Sequence, residues 1–100
     1  MKLCHAAAFA LAVWYLMSPP VMRIPRLGSR VNHVAHLKYW KIRGTYPSAI
    51  ACGEARSAMA MSLAANPEKV PDEFIDLSPE VIDEVTESLV CVPGDDPDLN

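Results

Sequence analysis

The sequence predicts a small α+β fold: an N-terminal apolar signal or anchor helix followed by a β-α-α-β module. Three observations predict it. An almost wholly apolar run from Leu3 to Met17 follows Lys2 and stops at Ser18-Pro19-Pro20. Two short stretches carry strand character, Trp40-Lys41-Ile42-Arg43 by alternation and Leu89-Val90-Cys91-Val92 by β-branched, apolar composition. Between them lie an alanine-rich segment and the helix start Ser78-Pro79-Glu80.

The apolar run is fifteen residues long. As helix it spans about 22 Å, short of the roughly 30 Å hydrocarbon core of a bilayer. That length suits the h-region of a secretory signal. The small residues a signal peptidase prefers (Ala6, Ala7, Ala8, Ala10, Ala12) lie inside the run, and Trp14, Tyr15, Leu16 and Met17 stand at its end. A removed signal and a retained anchor therefore both stay open, with Trp14-Tyr15 suited to the interfacial aromatic belt in the second case. Arg23, Arg26 and Arg30 after the run favour a cytoplasmic C-terminal part, whereas Lys2 before it favours export.

Residues 18–36, with three prolines and a glycine between Ser18 and Arg30, are predicted to be a linker. Residues 37–92 form the predicted domain. Its first strand runs through Trp40-Lys41-Ile42-Arg43, and Tyr46 continues the apolar phase beyond Gly44. Pro47-Ser48 opens a helix to about Ala65, on which Cys52, Ala55, Met59 and Leu63 fall on one stripe while Gly53 weakens the first turn. A loop follows from Asn66 to Asp76. In the second helix Ser78 caps the free amides, Pro79 suits the first position and Glu80 complements the dipole; Val81, Ile82, Val85 and Leu89 form its apolar stripe. The final strand, Leu89 to Val92, is bounded by Pro93-Gly94 and expected to pair with Trp40–Arg43. Residues 93–100 are predicted to be an acidic flexible tail.

Charge is segregated. From Met1 to Gly53 there are seven basic residues and no acidic one; from Glu54 onward two basic residues face twelve acidic ones, and the overall −3 hides the contrast. A basic stretch directly after a membrane segment predicts contact with anionic lipid head groups, at about 1 kcal/mol per near-surface residue. The alternative is that the two halves pack against one another. Nucleic acid is not an expected partner, since the basic residues are few and dispersed and no binding fold is recognisable.

Motifs that would name a reaction are missing. There is no nucleophile elbow, phosphate loop or CxxC pair, so no catalytic residue and no cofactor is assigned and an enzyme is not expected. His33-x-x-His36 could place two metal ligands on one helix face, but the second close pair of a zinc site is lacking, and Asp95, Asp96 and Asp98 lack the later glutamate of an EF-hand. No metal is assigned.

Three patches in order, Trp14-Tyr15-Leu16-Met17-Ser18-Pro19-Pro20, Trp40 leading to Ser48-Ala49 and Cys52-Gly53-Glu54-Ala55-Arg56, and Cys91-Val92-Pro93-Gly94-Asp95-Asp96-Pro97-Asp98-Leu99, resemble a group of short, uncharacterised bacterial exported proteins. The resemblance implies a cell-envelope location, periplasmic or inner-membrane anchored, and a cysteine pair. Cys4 lies in the apolar run, which leaves Cys52 and Cys91 as the pair expected to join in an oxidising compartment. Closing a loop of that size stabilises a small fold by about 4 kcal/mol in the chain-entropy model. Two functions follow as expectations. The first is a non-enzymatic envelope protein whose apolar segment contacts membrane lipid and whose stapled module binds an unknown envelope protein. The alternative is a single-span membrane subunit with reduced thiols and a cytoplasmic-facing domain docked on a partner.

Overall fold

The computed structural model describes residues 13–65, 74 and 77–99. Trp14–Ser18 is a β-strand (β1), the centre of a three-stranded sheet, with Lys41–Tyr46 (β4) on one side and Val90–Pro93 (β5) on the other, both antiparallel to it. A strand paired on both edges and covered on both faces needs apolar residues at successive positions, and Trp14-Tyr15-Leu16-Met17 supplies them. The predicted helix over Leu3–Met17 therefore does not extend through residues 14–17. The remainder of the signal or anchor expectation falls on residues 1–12, outside the described residues. The two predicted strands also do not pair with each other: Leu16 lies opposite Gly44 of β4 and Cys91 of β5, and β1 separates the two.

Residues 18–36 are not a linker. Val21–Ile24 (β2) and Gly28–Val31 (β3) form an antiparallel hairpin, with Ile24 opposite Gly28 and Val21 opposite Val31. The turn places Pro25 at its second position, donates Leu27 N–H to Ile24 C=O at 3.0 Å and holds Arg26 at φ 71°, followed by Gly28 at φ 80°. Pro25 suits such a turn; Arg26 does not announce it, because a positive φ is usually filled by Gly or Asn. Asn32 N–H then donates to Pro20 C=O at 2.9 Å, closing the open end.

Ala49–Ala65 (α1) starts where expected, with Ser48 Oγ accepting from Ala51 N–H at 3.1 Å. Its stripe of Cys52, Ala55, Met59 and Leu63 faces inward. Pro79–Glu87 (α2) is capped by Ser78, which accepts from Val81 N–H, and it buries Val85 completely. Two packed clusters result. Leu16, Cys52 and Leu89, with Trp14, Tyr46 and Cys91, join the sheet to α1; Val31, Leu63, Phe74, Leu77 and Val85 join the hairpin to the two helices, and Met59 touches both clusters.

The register shifts between Leu16 and Met17, so Arg43 is the extra residue of a bulge in β4. Its Nε donates to the buried Ser18 hydroxyl at 2.8 Å, and its guanidinium lies 4.8 Å from the centre of the Phe74 ring. The bulge breaks the alternation read from the sequence, leaving Ile42 49% exposed. The tail is also folded: Pro97–Leu99 makes a 3-10 turn, with Asp96 N–H donating to Pro93 C=O at 3.0 Å and Leu99 N–H to Asp96 C=O at 3.1 Å. Among the described residues no helix is long and apolar enough to cross a membrane.

Candidate functional site

Cys52 and Cys91 form a disulfide, their Cα atoms 6.0 Å apart across a sequence separation of 39. The first turn of α1 supplies Cys52, fully buried, and β5 supplies Cys91, directly opposite Leu16 of the central strand. The bond thus ties helix to sheet at the middle of one core cluster, as a staple beneath the surface. It points to an oxidising environment.

The opposite face of the sheet carries a groove. Side chains alternate along β1, so while Trp14 and Leu16 pack beneath α1, Tyr15 and Met17 turn the other way. Two 3-10 turns in contact with each other, Leu37–Tyr39 and Pro97–Leu99, frame that face. The cavity is about 260 Å³, with Tyr15, Leu37, Trp40, Ile42 and Leu99 as its apolar walls and Lys38 on its rim. Trp40 is fixed by donating Nε1–H to Ala35 C=O at 2.9 Å, and Lys38 Nζ lies 5.1 Å from the centre of the Tyr39 ring. The groove is not legible in the sequence, because the Leu37–Ile42 stretch makes it only together with β1, predicted as part of a membrane segment, and with Gly94 and Leu99, predicted as part of a flexible tail.

A second cleft, about 490 Å³, lies between the hairpin and the first turns of α2, with Arg23 and Arg30 on one wall and Glu80 and Glu84 on the other. Beside it His33 Nε2 meets Glu84 Oε1 at 2.8 Å. The basic and acidic halves of the chain therefore face one another here, which is the packing alternative left open by the charge pattern. His33 does not sit on a helix beside His36. Its Nδ1 lies 3.1 Å from Ser88 Oγ, giving a serine-histidine-glutamate sequence of contacts. The serine is not arranged as a nucleophile: its hydroxyl donates to the Glu84 carbonyl at 2.7 Å, and His33 and Glu84 are 48% and 45% exposed. Among the described residues no group of three or more His, Cys, Asp or Glu side chains could hold a metal ion.

No protein-family model, no curated protein and no solved structure matches the chain.

Proposed function

We propose that this protein is a non-catalytic interaction module of the bacterial cell envelope, delivered outside the cytoplasm and binding a partner protein through the Tyr15–Trp40 groove. The Cys52–Cys91 disulfide carries the proposal. A buried bond of this kind is maintained where thiols are oxidised, and a chain with so small a core gains most from it there. The resemblance to short exported bacterial proteins supports the same location. The groove supports the mode of action: at about 260 Å³ it takes one or two side chains rather than a whole small molecule, and its apolar walls with a lysine rim suit an apolar anchor flanked by acidic residues.

The test is thiol trapping with a maleimide of high mass in unreduced cell extracts, combined with photo-crosslinking from position 42. In an exporting host Cys52 and Cys91 are expected to resist the maleimide, and to react in cells lacking the envelope's dithiol oxidase. A crosslinker at Ile42 is expected to capture an envelope protein that one at Ile50, exposed on the far side of α1, does not. Reactive thiols together with a cytoplasmic chain would instead favour the membrane-subunit alternative, and equal capture from both positions would remove the groove from the proposal.

A further inference from the structure

Resting on the groove reading proposed above, we infer that residues 95–99 are the groove's own occupant, a segment with the partner's chemistry that an external ligand must displace. Apolar walls with a lysine rim take an apolar anchor flanked by acidic residues. Asp95-Asp96-Pro97-Asp98-Leu99 is such a segment. Its leucine already lines the cavity, together with Tyr15, Met17, Leu37, Trp40 and Ile42.

The segment is attached so that it can leave. Gly94 is the last residue bonded to the sheet, donating its N–H to Val13 C=O at 2.8 Å. Beyond it, among the described residues, the hydrogen bonds are the segment's own: Asp96 N–H to Pro93 C=O, Leu99 N–H to Asp96 C=O at 3.1 Å and Asp98 N–H to Asp96 Oδ1 at 2.9 Å. The turn therefore rests on the protein through the Leu99 side chain and through the contact between the two 3-10 turns. Swinging it out after Gly94 breaks none of these hydrogen bonds, which places it at the low-stability end of the fold. The closed cavity then opens into an apolar strip on the sheet face.

The segment also satisfies the groove only in part. It supplies the apolar anchor, but the Lys38 ammonium lies over the Tyr39 ring, 5.1 Å from its centre, and among the described residues no carboxylate is paired with it. Three aspartates in five residues act on that lysine through a field that salt screens. A ligand that puts a leucine where Leu99 stands and a carboxylate on Lys38 makes one contact more. Against it stands the tether, since an attached segment acts at an effective concentration on the order of millimolar. The apparent affinity for an outside ligand falls with the fraction of chains whose groove is open. The partner selected is thus an acidic segment with one leucine-like anchor, and weaker ligands are kept out.

The test uses the full-length oxidised chain and an acetylated peptide of sequence Asp-Asp-Pro-Asp-Leu-Asn, matching residues 95–100. Binding is read by nuclear magnetic resonance at the Trp40 indole N–H, which donates to Ala35 C=O at the groove wall. Leu99→Ser removes the anchor and leaves the local turn bonds. The peptide is expected to bind this variant at least about tenfold more tightly than the unsubstituted chain, with a shift of the Trp40 signal. Adding Lys38→Gln is expected to weaken that binding, and Leu99→Met, which keeps an apolar anchor, to bind no better than the unsubstituted chain. Equal affinity for the unsubstituted chain and Leu99→Ser, or binding that leaves the Trp40 signal unmoved, would overturn the self-occupied groove. Binding to neither chain, while a crosslinker at position 42 still captures an envelope protein, would overturn this inference and leave the groove reading standing. Failure of both peptide binding and capture would remove the two together.

Discussion

Leu16 is 2% exposed and lies between β4 and β5, in contact with the cluster that holds the disulfide. Truncating such a side chain loses its transfer free energy and leaves a cavity that its neighbours fill only in part. Leu16→Ala is expected to cost about 3 kcal/mol in denaturant unfolding of the oxidised chain; if residues 14–17 were merely part of a leader, the substitution would leave domain stability unchanged. Gly94 tests the same point from the other side. A Cβ there would lie 2.5 Å from Val13 Cγ2 and 3.2 Å from Val13 O, so the backbone approach that receives the Gly94 N–H bond has no room for a methyl group. Gly94→Ala is expected to destabilise by about 1–3 kcal/mol, the range for overpacking, read as a lower midpoint in urea. At this scale the sequence was legible where a residue type has one strong local preference. Ser78 caps as expected because its hydroxyl satisfies a helix amide, whereas Arg26 at φ 71° gave no local sign of its turn.

The elements that could be read from sequence were those with a periodic apolar face. In α1 the spacing of Cys52, Ala55, Met59 and Leu63 marked the buried stripe, and in α2 the capped start and Val85 marked another. β1 was unreadable for a physical reason: a short run that is apolar at every position fits a buried strand as well as a membrane helix, and periodicity does not separate them. The hairpin was hidden by prolines, which sit just before its first strand and in its turn, where no ladder N–H is needed. Helix α1 also offers a test in the stabilising direction. Gly53 lies within its second turn, and a Cβ added there meets nothing within 4 Å. Replacing it by alanine removes backbone entropy from the unfolded chain without strain. Gly53→Ala is therefore expected to stabilise by about 0.5–1 kcal/mol, seen as a rise in thermal midpoint with the disulfide intact; a fall would show that the helix does not accept a methyl group at this position.

Over the whole molecule, the fold is a small α+β domain whose two core clusters meet at Met59 and whose one covalent tie crosses from α1 to β5. The cysteine pairing was anticipated because only two cysteines lay outside the apolar run, but strand order was not, since the strand between β4 and β5 comes from the other end of the chain. The site was less legible still: the groove exists only once β1 and the folded tail are in place. Removing the staple in a Cys52→Ala/Cys91→Ala chain is expected to cost about 4 kcal/mol in the chain-entropy model, enough at roughly 4–8 °C per kcal/mol to lower the melting temperature by more than about 15 °C. A shift of only a few degrees would mean that the cores hold the fold without it. Residues 14–17 are part of the strand that joins β4 to β5, so the three-stranded sheet depends on them.

Native-state hydrogen exchange on the oxidised chain addresses this most directly, because it reads the amides of β1 individually. Tyr15, Leu16 and Met17 are expected to exchange as slowly as the best protected amides of β5, through global unfolding alone. Rapid exchange at these three positions while Cys91 and Val92 stay protected would contradict a central strand built from the end of the apolar run.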